Sequence, residues 1–237
     1  MSVAHDPAVA AAPPPVVGHD GPLLNLDAFD TADAQTEPYQ HILVDNLLNP
    51  GVAERLEAEY PTIDVTGYIT VEQANLPPIF QQLVDELKGP GLTEQLSQKF
   101  KRDFHQYPRM VTIRRWSEAR EGYIHTDSKR KVMTMLLYLN PAWVKGSEGS
   151  LRVLYSEDAF EPYAMEIPPL NGTTFAFTRS DNSWHGHLPY EGERRVFQVT
   201  WLRDDKAMNR KMSNNSFHQK LKRFFQGKKA DKPADMM

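Results

Sequence analysis

The sequence predicts an α+β domain with an antiparallel barrel or sandwich at its centre. Two observations carry that reading. Two helical patterns lie within the first hundred residues, and about eight short β-type runs follow Tyr107, separated by turn residues. A third supports it: 40% hydrophobic and 24% charged residues over 237 positions is the balance of a chain that buries a core.

The elements come in order. Ile42-Leu43-Val44 reads as a first short strand. Asn49-Pro50 opens a helix through Glu54, Leu56 and Glu59, with Pro50 near its first turn. A second helical region runs from Pro78 to Phe100. There Ile79, Leu83 and Leu87 recur at helical spacing, and Gly89-Pro90-Gly91 interrupts the run. The β-type runs are Met110 to Trp116, Gly122 to His125, Val132 to Leu139, Ser150 to Tyr155, Ala164 to Ile167, Thr173 to Phe177, Ser183 to His187 and Arg195 to Leu202. Asn140-Pro141, Gly146, Pro168-Pro169, Asn171-Gly172 and Glu191-Gly192 punctuate them. No internal repeat is visible.

The two ends differ from the body. Residues 1–21 contain Ala-Ala-Pro-Pro-Pro and few large apolar side chains, and read as a disordered arm. Met1 to Asp20 has no cationic start and no long apolar core, so it does not read as a secretory signal, and the cytoplasm is the expected compartment. No stretch approaches the roughly 20 apolar residues of a membrane span. The net charge of -4 hides an asymmetry: Lys206 to Met237 carries +7, leaving the remainder at -11. A body this acidic is a poor general nucleic-acid binder, although the basic tail alone suits an anionic surface. In that tail, Asn214 to Gln226 is an amphipathic helix candidate. Phe217, Leu221, Phe224 and Phe225 share a face opposite Lys220, Lys222 and Arg223, and packing on the domain is the favoured use of that face.

The chain has no cysteine. Disulfides, thiolate zinc sites and a Cys nucleophile are excluded, so any metal must take His and carboxylate ligands. His125-Thr126-Asp127 supplies both. Positions two apart on an extended chain point to one face, so the imidazole and the carboxylate can converge on one ion. The pair alone is weak, because eight His and 31 acidic residues give about one such spacing by chance. The second element is Ser183-Trp184-His185-Gly186-His187 on a later strand. Two His and one carboxylate on one face leave open positions on iron(II), the facial arrangement of non-haem iron oxygenases. Zinc accepts a similar set but closes tetrahedrally. The third element favours iron. Arg194 and Arg195 stand nine and ten residues past His185. The co-substrate 2-oxoglutarate chelates iron through its keto acid end, and its far carboxylate needs a planar cationic fork. A zinc hydrolase has no use for that fork.

The stretch from Tyr107 to Arg203 resembles the 2-oxoglutarate and iron(II)-dependent dioxygenase superfamily, in its prolyl-hydroxylase-like branch. The matching residues come in family order. They are His125-Thr126-Asp127, Leu137-Tyr138-Leu139-Asn140, Glu148-Gly149-Ser150-Leu151, Pro168 through Asn171-Gly172 to Phe175, Trp184-His185-Gly186, and the arginines ahead of Val199-Thr200-Trp201. The resemblance implies a double-stranded β-helix, or jelly roll, with N-terminal supporting helices and the metal at its open end. It implies an oxygenase domain over 22–205, with its jelly-roll core at about 107–203, followed by the basic tail, 206–237.

Carried over residue by residue, His125, Asp127 and His185 are the expected iron ligands. Tyr138 is expected to bind the far carboxylate of 2-oxoglutarate. The arginine is either neighbour. Counting back six from Trp201 gives Arg195, the family's Arg-to-Trp spacing, while the Gly-x-Arg pattern points to Arg194. Neighbours on a strand face opposite sides, so only one lines the pocket. Arg195 is preferred. Val196 and Phe197 stand where the family often has Ser or Thr. His187 and Trp201 are candidates for substrate or supporting contacts. The cluster Lys129-Arg130-Lys131, directly after the iron motif, reads as a solvated loop, and Lys129 and Arg130 with it are candidates for an anionic substrate. His41 and His105 fit no ligand spacing and read as structural.

The implied cofactor is Fe(2+), with 2-oxoglutarate and O2 as co-substrates and ascorbate as an auxiliary reductant. The implied reaction hydroxylates an unactivated C–H bond and releases succinate and CO2. The substrate is either a small molecule or a peptidyl group. Two rival classes stay open: an idle jelly-roll binding module that keeps the ligands, and a zinc hydrolase that needs no oxygen.

Overall fold

The structure, a computed structural model, describes residues 21–143, 148–210 and 213. Most of the N-terminal arm and the candidate helix at Asn214 to Gln226 lie outside the described residues.

Three helices lie in the first hundred residues, interleaved with two short strands. α1 (Val52–Ala58) is short. α2 (Pro78–Lys88) buries Ile79, Phe80, Leu83, Val84 and Leu87, the apolar stripe of a surface helix. α3 (Pro90–Phe100) buries Leu92, Leu96 and Phe100. Both of these begin on a proline at their first position, where the missing N–H costs nothing. The run splits at Gly89 because the residue before a proline avoids the helical region. Gly89 is extended, at φ -66° and ψ 161°.

Nine strands follow or interleave. They are β1 (His41–Val44), β2 (Ile69–Thr70), β3 (Arg109–Ser117), β4 (Lys131–Tyr138), β5 (Leu151–Leu154), β6 (Tyr163–Ile167), β7 (Thr174–Thr178), β8 (His185–Gly186) and β9 (Gly192–Leu202). A six-stranded sheet runs β1-β7-β4-β9-β3-β2, and a three-stranded sheet runs β6-β5-β8, with antiparallel pairing throughout. This is the expected jelly roll, an α+β molecule dominated by antiparallel sheet. Gly122 to His125 is the run that forms no regular strand. Gly122 sits at φ +85°, which breaks the extended path, and only His125 makes an isolated bridge.

The large sheet is covered on both faces, which explains why β4 reads as a largely apolar run. On one face Met133, Met135 and Leu137 of β4 join Phe197, Val199 and Trp201 of β9 and the buried side chains of α2 and α3. On the other, Leu136 and Tyr138 join Val196, Phe175 and Phe177, and meet Leu151 and Val153 of the small sheet. The functional cavity opens on this second side.

Trp201 therefore belongs to the helix-side core. It is fully buried, 6.5 Å from the Phe104 ring, and stands apart from the cavity, which corrects its candidacy for a substrate contact. Trp201→Ala is expected to cost about 3–5 kcal/mol of stability, read from the urea unfolding midpoint. A substrate contact at the surface would leave that midpoint nearly unmoved.

Candidate metal and co-substrate site

His125 and His185 meet through their backbones. Each donates its N–H to the other's carbonyl at 3.0 Å, an antiparallel bridge that sets the two imidazoles side by side with ring centres 4.4 Å apart. Asp127 follows two residues after His125. Ligand atoms of His125, Asp127 and His185 all lie within 4.8 Å of one another. No other group of three such residues forms among the described residues.

Each member is oriented by a neighbour. The Nδ1 of His125 lies 2.8 Å from the Tyr123 carbonyl, and that of His185 lies 2.9 Å from the Ser183 carbonyl. A carbonyl only accepts, so both Nδ1 atoms carry the proton and both Nε2 atoms keep a lone pair for a metal. Burial, then the neighbouring His125, lowers the pKa of His185 to about 4, so it is neutral at neutral pH and needs to lose no proton to ligate. Asp127 is buried, which by itself raises its pKa. Lys131 outweighs that effect by charge and hydrogen bond, with help from His185 and Thr134, and holds the carboxyl well below the usual range. Lys131 Nζ stands 2.5 Å from one carboxylate oxygen, and the Thr134 hydroxyl donates to the other at 2.5 Å.

These residues line a cavity of about 520 Å³, a size suited to a small-molecule ligand. Arg194 lines it too. This corrects the preference for Arg195. Arg195 shares parity with Phe197, Val199 and Trp201, so its side chain leaves on the helix side, over the Tyr60 ring at 4.7 Å and against Glu193 at 3.0 Å. A bulge lies at the same place. β3 and β9 lose register between Arg114 and Trp116, where Arg194 and Arg195 together face Arg115.

Arg194 is 2% exposed. Its Nε donates to the Gly149 carbonyl at 2.8 Å and one Nη to the Tyr138 hydroxyl at 3.4 Å. Among the described residues no carboxylate reaches it. A buried guanidinium with neutral partners alone calls for an anion. Tyr138 is fully buried beneath it rather than in the cavity wall, with Arg194 over its ring at 5.2 Å. Burial, opposed by Arg194, pushes its phenol up to about 12, so it stays protonated.

Gly149 holds Arg194 through its carbonyl. It sits at φ +73°, and a Cβ there would lie 2.6 Å from the Trp143 ring and 2.9 Å from Tyr190. Gly149→Ala is expected to displace that carbonyl and weaken 2-oxoglutarate binding at least about tenfold, with metal affinity retained. Calorimetry with manganese(II) and then 2-oxoglutarate separates the two effects.

The remaining candidates divide. His187 lines the cavity, its Nδ1 fixed by the Leu188 carbonyl at 2.8 Å, and burial lowers its pKa to about 3. Lys129 and Arg130 are exposed in the turn before β4 and do not reach the cavity. Lys131, the last of that basic cluster, does. His41 and His105 stand elsewhere, as expected. Sequence reasoning missed Thr134, Tyr68 and Arg114 as lining residues. Strand parity carried a signal for Arg114, because Thr112 and Arg114 alternate with the core residues Val111 and Ile113.

Residues 104–203 match the 2OG-Fe(II) oxygenase superfamily. That stretch of the chain is similar to the superfamily's domain. That superfamily uses iron(II) and 2-oxoglutarate, and the two-His, one-Asp set described above is the donor chemistry such an ion takes. The fold is similar to a prolyl 4-hydroxylase structure from Phytophthora capsici, at 19% identity and a TM-score of 0.50, over 76% of this chain and 63% of that one. A Pseudomonas putida prolyl-4-hydroxylase matches over 76% of this chain and 97% of its own at 17% identity and a TM-score of 0.48. The viral collagen prolyl hydroxylase of Paramecium Bursaria Chlorella virus-1, solved with 2OG, matches over 69% and 96% at 15% identity and a TM-score of 0.48. No curated protein matches the chain. No helix among the described residues is long and apolar enough to cross a membrane.

Proposed function

We propose that the protein is an iron(II)- and 2-oxoglutarate-dependent dioxygenase that hydroxylates an unactivated C–H bond, with release of succinate and CO2. One observation carries the reading. A buried guanidinium without a carboxylate partner, Arg194, shares a cavity with a two-His, one-carboxylate cluster. Metal hydrolysis explains the cluster but leaves the guanidinium without a purpose.

The residues divide the work. His125 and His185 offer Nε2 lone pairs to one ion, and Asp127 offers a carboxylate oxygen. Lys131 and Thr134 fix the orientation of that carboxylate and keep it ionised. Arg194 takes the far carboxylate of 2-oxoglutarate through its planar fork, braced by Gly149 and Tyr138. Leu136, Leu151 and Phe177 line the cavity with apolar surface and limit water. Iron(II) with 2-oxoglutarate, when bound, supplies the oxygen activation and hydrogen abstraction that side chains lack.

The test is succinate release from 2-oxoglutarate in the presence of iron(II), ascorbate and oxygen. Succinate that requires both iron and oxygen supports the reading. Hydrolysis that proceeds under nitrogen with zinc would replace it with a hydrolase. Absence of 2-oxoglutarate binding by the iron-loaded protein would replace it with an idle module.

A further inference from the structure

We propose that the substrate carries a carboxylate and that Arg114 anchors it. The proposal rests on the reading of Arg194 given above. The cavity wall holds four cationic side chains, Arg114, Arg120, Lys131 and Arg194, against two carboxylates, Asp127 and Glu121. Three of the four cations are accounted for. Lys131 is committed to Asp127. Arg120 is largely exposed and pairs with Glu118 at 2.5 Å. Arg194 is committed to the co-substrate. Arg114 is left.

Arg114 is 7% exposed, and its Nε is buried with no hydrogen-bond partner among the described residues. Its closest carboxylate is loose: Glu121 Oε1 lies 3.5 Å from Nη2. The other oxygen of Glu121 is held elsewhere, by the Glu118 N–H at 3.0 Å and the Ser117 hydroxyl at 3.4 Å. The guanidinium lies 4.2 Å over the Tyr68 ring, which fixes its plane, and the side chain lines the cavity. A buried, pre-oriented fork with one donor unpaired is built for a planar oxyanion. Glu121 already offsets part of its charge, which suits a monoanionic carboxylate better than a phosphate dianion. Arg114 and Arg194 thus divide two carboxylates between them, one from each reactant.

The experiment uses full-length protein loaded with manganese(II) and N-oxalylglycine, an inert analogue of 2-oxoglutarate, so that Arg194 is occupied. Benzoate and acetate are the probes, benzamide and acetamide their neutral counterparts, and ligand-observed NMR reads binding. Benzoate is expected to bind at least about tenfold more tightly than benzamide. Arg114→Gln is expected to remove that preference while 2-oxoglutarate affinity stays within about twofold. Glu121→Gln, which removes the competing charge, is expected to tighten benzoate binding, and it decides the matter if the Arg114 variant does not fold. Equal binding of benzoate and benzamide, or a benzoate affinity indifferent to both substitutions, overturns the proposal. Loss of 2-oxoglutarate affinity in Arg114→Gln with its retention in Arg194→Ala would instead overturn the co-substrate assignment beneath it.

Discussion

Replacing His185 by alanine is expected to abolish iron-dependent succinate formation, with at least about a hundredfold loss of metal affinity. Loss of groups that merely orient a metal ligand costs about 10–100-fold, and His185 is placed as a ligand itself. Its imidazole is aimed by the Ser183 carbonyl and kept neutral by burial. Packing also bears on the result, because the ring lies 4.6 Å from Phe177. His185→Gln keeps much of that volume and is expected to lose metal affinity just the same. Iron titration by calorimetry, beside a circular-dichroism check of the fold, separates loss of a ligand from loss of structure. Near-normal iron affinity in a folded His185→Ala protein contradicts the ligand assignment.

Arg194→Ala is expected to raise the 2-oxoglutarate requirement about a hundredfold or more. Truncating one partner of a buried, hydrogen-bonded charge pair costs about 2–5 kcal/mol, and Arg194 is buried with only neutral partners of its own. Arg195→Ala is expected to change that requirement by less than about threefold, because its guanidinium lies over Tyr60 and against Glu193 on the helix side. The two substitutions differ by one position and remove the same charge, so net charge cannot explain a difference between them. KM for 2-oxoglutarate, measured at saturating iron, reads the contrast. A larger effect at Arg195 would show that the side-chain parity of the last strand has been misassigned.

That pair of arginines marks where the sequence stopped being sufficient. The strands were readable because Val132 to Leu139 and Arg195 to Leu202 are rich in apolar and β-branched residues and lie between turn residues, and the metal cluster because His-x-Asp places two ligands on one face. Family spacing, counted from Trp201, pointed to Arg195. The six-residue interval also says that Arg195 shares the face of Trp201, and that face is the helix-side core. An apolar run buried on both sides hides which face is which, and the partner across the sheet supplies the answer. A bulge opposite Arg115 adds a local displacement that has no sequence mark. The basic cluster after Asp127 shows the same limit. Lys129, Arg130 and Lys131 look equivalent in sequence, yet only Lys131 enters β4 and turns inward to Asp127. Arg114 was passed over as one polar residue in a strand, because its burial depends on the stacked Tyr68, 46 residues earlier.

A crystal structure of the protein grown with manganese(II) and 2-oxoglutarate tests the central claim most directly. The account predicts one ion held by His125, Asp127 and His185 and chelated by the keto acid end, with the far carboxylate on Arg194. An ion bound elsewhere, or a far carboxylate resting on Arg114 or Arg195, would contradict it.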